Sequence, residues 1–339
     1  MTVLDVFSKT TMVVSALNLF VSIPIYIFVI VTIAVNKKKY PFNSPFFTIF
    51  IALGIIDIAC FVDYLGAKTP FWGFFPSLFQ PYEAPSMLAK VNNFFIWFTG
   101  FAQYYLIILI AANRYIALCW PLKYHRIFVE PYTMSMICVC IAVPFCYCIP
   151  ILCTDLTYST FNLTLQGETF KFAAGPQFKN PYYSTMYYNV WQAETGLLMI
   201  SSAIMYALMI FTLYKHRKDR KNDGHKTEMK LFYAGLCLFA TCILYVAYFF
   251  ARVYLLKAYA TDPNVIMYRE LSRCSLFILA DMFSLNNHFV ILYLSPDLRK
   301  QCIALLKGPN GTSTVNTLVV SGSSKRASMD VRRMSHRMT

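Results

Sequence analysis

Long apolar runs separated by short polar segments limit the possible folds of this 339-residue chain more than any other feature. A helix needs about 20 apolar residues to cross roughly 30 Å of hydrocarbon, and lipid offers its backbone no other hydrogen-bond partner. Seven runs reach this length: 12–35, 46–66, 90–118, 132–153, 189–214, 228–256 and 269–294. With 58% hydrophobic and 14% charged residues, the composition also favours an integral membrane protein. We predict an all-α membrane protein with a seven-transmembrane helix bundle.

The distribution of Lys and Arg predicts the orientation of the bundle, because basic residues near span ends stay on the cytoplasmic side. They collect after the first, third and fifth runs and in the C-terminal tail, whereas the opposite loops carry only a scatter that includes Lys68 and Lys171. The N-terminus is therefore expected outside and the C-terminus inside. Membrane sorting and anionic inner-leaflet lipid account for the formal charge of +14, so no nucleic acid partner is implied.

Sites for glycosylation, metals and cofactors can be assessed from short motifs. Asn162 begins an Asn-Leu-Thr sequon in the long loop after the fourth run, which the charge argument places outside, where glycosylation occurs. A second sequon at Asn310 falls in the predicted cytoplasmic tail and should stay unmodified. The 11 cysteines lie in spans, at span ends or on the inner side without metal-site spacing. We expect no metal, no cofactor and no ectodomain disulfide.

A short helix should follow the seventh span on the inner face. Ser295 supplies an N-cap, Pro296 suits the first turn and Gly308 can end the helix, whose apolar and basic positions alternate as in an interfacial amphipathic segment. Cys302 on this helix could carry a palmitoyl group or remain a free thiol. We predict one seven-transmembrane domain over 1–307 and a disordered tail over 308–339. Ser328 and Ser335 in the tail follow basic residues, as kinase sites do.

Two carboxylates fall in the middle of predicted spans. Asp57 lies in the second span and Asp281 in the seventh, at similar depths, and Asn287 follows Asp281 on the same span. Charges in lipid cost about 2.5 to 3.5 kcal/mol each on insertion scales, so these residues suggest function. They could hold a proton, bind a cation such as sodium, or accept bonds from hydroxyl and amide donors. Two interpretations stay open, a protonation or ion switch at Asp57 and Asn287, and simple interhelical hydrogen bonding.

Candidate ligand-binding residues lie in the third and the fifth to seventh spans, several of them toward the outer ends. Charged groups among them could pair with one another or contact a polar group of a ligand, and the aromatic groups would suit a small, largely apolar one. A Glu270–Arg273 pair one turn apart is one such structural alternative. The predicted ligand-binding set is Tyr105, Trp191, Glu194, Tyr248, Arg252, Arg273 and Asp281.

The most informative motif is NRYIALCWPLKY, residues 113–124, directly after the third apolar run. Arg114 at the inner end of a span could bond neighbouring helices in one state and a partner's backbone in another. A lone arginine there is more often an inner-leaflet anchor. The surrounding string favours the switching role.

With span count and orientation, this motif resembles rhodopsin-like receptors. It is more closely similar to nematode serpentine chemoreceptors of the Srg superfamily, with the Srv branch as a candidate. The closer resemblance also depends on the Lys-rich first inner loop, on FNSPFFTIF and IIDIACF around Asp57, and on NNHFVILYLSPDLRK at the end of the seventh span. It implies that Arg114 helps to hold an inactive state, that Asp57 lies near an ion or water cluster, and that inner loops bind a heterotrimeric G protein. Asn113 replaces the acid that usually precedes the arginine, which predicts differently controlled basal activity.

The resemblance further implies a plasma-membrane receptor, for instance in a sensory cilium, that binds a small extracellular molecule. Its predicted coupling and switch residues are Asn113, Arg114, Tyr115, Pro121, Leu122, Arg217, Lys218 and Arg299. An ion channel or secondary transporter that uses Asp57 and Asp281 is the main alternative, and flux in proteoliposomes would identify it. No nucleophile, base and orienting group share a recognisable spacing, so an enzyme is not expected.

Overall fold

The computed structural model describes residues 3–72, 74–79, 84–165, 168–215, 223–259, 261–262 and 265–307. Within this described part, seven helices are long and apolar enough to cross a membrane. They are Val6–Val35, Pro45–Pro70, Met87–Cys119, Glu130–Cys153, Pro181–Lys215, Met229–Ala258 and Met267–Leu294. The prediction of a seven-transmembrane helix bundle is confirmed. The predicted orientation of the N-terminus stays a prediction.

The helices and strands follow one another along the chain with short connections. In order they are α1 (Val3–Leu17), a π-helical turn (Asn18–Ser22), α2 (Ile23–Val35), α3 (Pro45–Phe71), α4 (Pro76–Phe79), α5 (Met87–Cys119), α6 (Pro121–Ile127), α7 (Glu130–Cys153), β1 (Leu156–Leu165), β2 (Glu168–Phe178), α8 (Pro181–Lys215), α9 (Asp223–Ala258), α10 (Val265–Leu285), α11 (Asn287–Leu294) and α12 (Pro296–Lys307). The chain divides into two units, Met1–Ser295 and Pro296–Thr339. The helix α12 belongs to the second unit and begins at Pro296, as predicted. The tail over 308–339 lies outside the described residues.

The first span contains a wider turn than an α-helix. The π-helical turn Asn18–Ser22 separates α1 from α2, and Pro24 occupies the first turn of α2. Proline has no backbone N–H and its ring crowds the carbonyl four residues earlier, so a regular i→i−4 ladder cannot pass through this point. The wider turn accommodates the proline without ending the span.

The second span is longer than predicted, and this corrects the interpretation of Lys68. The sequence placed Lys68 in an outer loop, but α3 continues to Phe71 and contains both Lys68 and Pro70. Lys68 is fully buried. A basic residue three positions before the end of a span is normally read as interfacial, and only a buried carboxylate partner makes its burial tolerable.

The segment between the fourth and fifth spans is a β-hairpin rather than an irregular loop. Strands β1 and β2 pair antiparallel, with Asn162 of the sequon opposite Lys171. Tyr158 of β1 is buried against the ring of Phe79, with ring centroids 5.0 Å apart, and burial raises the pKa of its hydroxyl to about 12. The backbone N–H of Ser86, just before α5, donates to the carbonyl of Leu156. The hairpin therefore covers one end of the bundle, which we call the hairpin end.

The third span, α5, occupies the centre of the bundle. Its buried residues include four consecutive ones, Phe101 to Tyr104, so burial extends around the helix rather than along one stripe. A helix that is apolar on all sides is expected to be surrounded by other helices. Asn113 and Arg114, both buried, lie near its far end, which we call the Arg114 end. Thus α5 runs from the hairpin end to the Arg114 end.

Candidate functional site

A cavity of about 260 Å³ opens inside the bundle at the hairpin end. A cavity of this size suits a small organic molecule. Its walls come from α3, α5, α8, α9 and α10, and the β2 residues Gly175, Pro176 and Gln177 form part of its lining. Aromatic side chains are frequent in the walls, and polar groups form a large part of the remaining lining.

Three residues of the predicted ligand-binding set line this cavity: Trp191 on α8, Arg252 on α9 and Arg273 on α10. The ring of Trp191 packs against Phe249 with centroids 4.3 Å apart. The Nε of Arg252 donates to the hydroxyl of Ser272 at 3.1 Å. The helices α9 and α10 are therefore joined where both arginines approach the cavity. The side chain of Glu270 lies outside the described residues.

The other members of that set lie beside the cavity rather than in its lining. The hydroxyl of Tyr105 donates to the carboxylate of Glu194, which links α5 to α8. The hydroxyl of Tyr248 donates to the carbonyl of Ser272 at 3.0 Å. These groups bond to one another or to backbone, so their contacts in this structure are structural. Asp281 also lies outside the lining.

Asp281 forms a buried ion pair with Lys68. The Nζ of Lys68 donates to one carboxylate oxygen at 2.5 Å, and the hydroxyl of Ser15 donates to the other at 3.0 Å. Lys68 also donates to the Ser15 hydroxyl at 3.0 Å. Three helices, α1, α3 and α10, thus meet at one charged group. The rings of Phe61 and Phe277 lie 5.5 and 5.6 Å from the ammonium and shield it from lipid.

Asp57 has a different set of partners. Its carboxylate accepts bonds from the hydroxyl of Tyr26 at 2.7 Å, the amide of Gln103 at 2.7 Å and the amide of Asn287 at 2.6 Å. The Gln103 amide also donates to the hydroxyl of Ser284 at 3.0 Å. Of the options that the sequence left open, the structure shows hydroxyl and amide donors around Asp57.

The two carboxylates have separate partners. The sequence placed Asp57 and Asp281 at similar depth, but each has its own set of bonds. Asn287, which bonds Asp57, lies six positions after Asp281 along the seventh span, about 9 Å at 1.5 Å per residue. Asp281, Ser284 and His288, which share one face of this span, are all buried.

At the opposite end, Arg114 is buried inside the bundle. Its guanidinium donates to the side-chain oxygen of Asn113, and its carbon lies 4.8 Å from the ring centroid of Phe46 on α3. A Cβ built at Gly235 on α9 would be 2.8 Å from the Tyr206 hydroxyl of α8 and 3.8 Å from the Arg114 side chain. Only glycine allows α9 to approach this closely, so Arg114 is enclosed by three neighbouring helices.

The residues after Arg114 leave the bundle. Tyr115 packs against Trp120 with ring centroids 5.6 Å apart. Pro121 opens the short helix α6, where Leu122 is 91% exposed. Arg217 and Lys218 lie outside the described residues, and Arg299 lies on α12 of the second unit, as does Cys302. The predicted coupling residues at and after the end of α5 thus comprise a buried pair, Asn113 and Arg114, the half-buried Tyr115, and the exposed Pro121 and Leu122.

Several residues of these sites were not predicted from the sequence, although the position of Lys68 in the sequence was informative. It lies eleven positions after Asp57, about three helical turns, so the two share a face of α3. Tyr26, Gln103 and Asn93 gave no such signal, because tyrosines and amides are common in spans and their partners lie on other helices.

Comparison with known proteins agrees with this arrangement. Residues 16–308 match the family described as serpentine type seven-transmembrane G-protein-coupled receptor chemoreceptor Srv. The chain is also similar to serpentine receptor class V-1 of Caenorhabditis elegans, with 26% identity over 300 residues that cover 88% of this chain and 90% of that protein. The family consists of receptors rather than enzymes, and its members span the membrane several times. This chain therefore belongs to the Srv family of serpentine chemoreceptors and is a multi-pass receptor of the plasma membrane.

Proposed function

We propose that this receptor binds a small extracellular molecule in the cavity at the hairpin end and activates a heterotrimeric G protein at the Arg114 end. One observation carries the proposal. The helix α5 lines the cavity with Gly100 and Gln103 and carries Arg114 near its other end. From Gly100 to Arg114 the helix rises about 21 Å at 1.5 Å per residue. A ligand that shifts α5 would therefore move Arg114 directly.

The Arg114 end has the features that a switch needs. Arg114 is held by Asn113 and covered by Phe46, so a partner reaches it only after the neighbouring helices separate. Leu122 already stands in solvent or at the membrane surface, and it would give a G protein an apolar anchor. In this proposal Pro121 and Leu122 make the first contact, and Arg114 becomes accessible after ligand binding. Arg217, Lys218 and Arg299 are further coupling residues in this proposal, on the strength of the sequence resemblance alone.

The cavity role is tested by filling it. A Cβ at Gly100 meets no atom within 4 Å, and this glycine lines the cavity, so Gly100→Phe should occupy ligand space. Gly196 on α8 also has open space around it but does not line the cavity, which makes Gly196→Phe the matched control. A ligand screen with a calcium readout first identifies an agonist. Gly100→Phe should then raise the agonist concentration for half-maximal response at least tenfold, and an unchanged response would contradict the proposal.

The coupling role is tested at the other end. Arg114→Ala should abolish G-protein activation while agonist binding and surface expression persist. Leu122→Asp should weaken activation, whereas Leu122→Met should not, because Met keeps the apolar contact. Agonist-driven ion flux in proteoliposomes without G protein would instead support the channel or transporter alternative.

Topology and modification remain part of the proposal. If the hairpin end faces outward, glycosidase treatment should increase the gel mobility of the wild-type chain and not of Asn162→Gln. Asn310→Gln should behave as wild type. Palmitoylation at Cys302 and phosphorylation at Ser328 and Ser335 would act on the cytoplasmic side in the same topology.

A further inference from the structure

We propose that the ligand of this cavity is a small anion, a carboxylate or sulfate on a compact apolar body. This inference depends on the proposed function in one respect, that the cavity at the hairpin end is the ligand site. It goes further by assigning the charge of the ligand and the residues that bind the charged group: Asn93, Arg252 and Arg273. Each of these lines the cavity from a different helix.

Asn93 provides the first observation. Its side chain is only 6% exposed, and its amide nitrogen has no hydrogen-bond partner among the described residues. A buried amide donor without a partner costs about 1–3 kcal/mol, so such groups usually meet a ligand or an ordered water. Because the donor lines the cavity, the group that it is placed to bind is an acceptor.

The two arginines provide the second observation. Arg252 donates to the hydroxyl of Ser272, the residue that precedes Arg273 on α10. Arg252 and Arg273 thus lie at neighbouring positions of α9 and α10, and both line the cavity. Two guanidinium groups beside one cavity favour an anionic ligand over a cationic one. Guanidinium groups also bind carboxylates and sulfates through two parallel bonds, which gives them a geometric preference for such ligands.

The three donors lie at comparable depth. Asn93 is six positions into α5, Arg252 is six positions from the end of α9, and Arg273 is eight positions into α10. At 1.5 Å per residue these separations correspond to about 9–12 Å below the helix ends at the hairpin end. One acidic group at this level could reach all three.

The remaining polar groups do not favour a cation. Among the described residues that line the cavity, no side chain is acidic. The carboxylates of Asp281, Glu194 and Asp63 lie outside the lining, and the first two are bonded to Lys68 and Tyr105. Gln103, deeper in the cavity, donates to Asp57 and Ser284. An amine ligand would therefore meet two arginines and no acidic side chain of the lining.

The deeper part of the cavity indicates which apolar body the ligand can have. Tyr245 and Phe283 stack there with centroids 5.1 Å apart and planes 5° from parallel, and Trp191 packs on Phe249. These faces suit an aryl or short alkyl group. With about 260 Å³ available, the body of the ligand has to be small.

Direct binding to the full chain in phosphatidylcholine nanodiscs tests the inference without any coupling readout. The probes are matched sets: 3-phenylpropionate with 3-phenylpropanol and 3-phenylpropylamine, and hexanoate and hexyl sulfate with hexanol and hexylamine. Trp97 and Trp191 line the cavity, so ligand entry should change the tryptophan fluorescence. At least one anion should bind at least tenfold more tightly than its alcohol and its amine. If no anion exceeds its neutral counterpart, the inference is wrong.

Variants connect that preference to the named residues. Arg252→Gln, Arg273→Gln and Asn93→Leu should each weaken anion binding at least fivefold and leave alcohol binding within twofold. Arg269→Gln and Lys257→Gln are the matched controls, because both are exposed cations on the same helices outside the lining. Arg252→Lys and Arg273→Lys keep the positive charge and should recover part of the lost anion binding. This recovery would show that the Gln variants lose binding through loss of charge and not through misfolding. Equal anion binding by Arg252→Gln, Arg273→Gln and the controls would overturn the inference.

Failure of this inference can be distinguished from failure of the proposed function. Anion binding that never activates a G protein would contradict the coupling proposal and leave the ligand inference intact. An agonist amine that is blocked by Gly100→Phe would contradict the ligand inference and keep the cavity as the receptor site.

Discussion

The two buried carboxylates of this receptor are stabilised in opposite ways. Asp281 is paired with a full positive charge on Lys68, whereas Asp57 accepts bonds from three neutral groups, those of Tyr26, Gln103 and Asn287. Both are almost fully buried. The same residue type in the same bundle therefore belongs to two kinds of site, one held by an ion pair and one held by distributed hydrogen bonds.

This difference predicts how each site should respond when one partner of the carboxylate is removed. In an ion pair, loss of one partner leaves a whole charge in a medium of low dielectric constant, which is costly. In a hydrogen-bond cluster, loss of one donor leaves the others in place. The Asp281 site is thus expected to be rigid and intolerant, and the Asp57 site to be adjustable. An adjustable site between the cavity and Arg114 is better suited to passing on a conformational change.

The largest effect is expected from Lys68→Met. It removes the cation and leaves Asp281 buried with the single hydroxyl of Ser15. Breaking a buried ion pair typically costs about 3–5 kcal/mol, so unfolding in bicelles should become easier by about that amount and surface expression should fall.

The double variant Lys68→Met with Asp281→Leu serves as the control. Replacing both members of a buried pair by apolar residues is often neutral or stabilising, so the double variant should recover most of the lost stability. If the double variant is as unstable as Lys68→Met, the ion pair is not the source of the effect.

A smaller effect is expected at Asp57. Asp57→Ala leaves the donors of Tyr26, Gln103 and Asn287 without their acceptor, although Gln103 keeps its bond to Ser284. Each buried donor left unsatisfied costs about 1–3 kcal/mol, but Asp57→Ala leaves no unpaired full charge and the donors can relax, so we expect the total loss to stay below that of Lys68→Met. Asp57→Asn keeps one acceptor oxygen and should lose less. A loss at Asp57→Ala as large as that of Lys68→Met would show that the neutral cluster holds as much energy as the ion pair.

These two sites also show what could be predicted from sequence. Apolar runs gave the seven spans, because each span satisfies its own backbone and the signal is local. The partners of the carboxylates could not be predicted, since Lys68 and Asp281 are 213 positions apart and meet only through packing. Lys68 was assigned to a loop by the usual preference of lysine for span ends. Its place on the same face as Asp57 was the available evidence against that assignment.

The residues of the cavity could be predicted only in part, because position along a span indicates depth but not which side of the helix faces the cavity. Trp191, Arg252 and Arg273 were placed correctly near one end of the bundle by their positions in the spans. Tyr105 and Glu194 could not be separated from them, because aromatic residues cover most of α5 and no single face is marked by sequence. The hairpin β1–β2 was not predicted, although its segment is rich in residues that favour strands.

The smallest effects give the sharpest comparison, between Ser15→Ala and Tyr26→Phe. Each removes one hydroxyl that donates to a buried carboxylate, and Phe keeps the ring that stacks on His288 with centroids 4.6 Å apart. Interhelical hydrogen bonds in membranes average about 0.6 kcal/mol and reach about 1.7 kcal/mol, so both losses should fall in this range. Ser15 also accepts a bond from the Lys68 ammonium. We therefore expect the larger loss at Ser15→Ala, because its bonds involve a charged donor as well as a carboxylate.

The free energies of unfolding of these two variants also show whether the ion pair at Asp281 or the hydrogen bonds at Asp57 are the stronger set. Unfolding of the two single variants in bicelles gives the difference directly, with Thr10→Val, an exposed hydroxyl on α1 bonded only to its own helix, as the control for loss of a hydroxyl. If Tyr26→Phe costs more than Ser15→Ala, the hydrogen bonds around Asp57 are the stronger set, and Asp57 would then be the more rigid centre. That result would indicate that the helices joined by Lys68, rather than those around Asp57, adjust more easily during a conformational change.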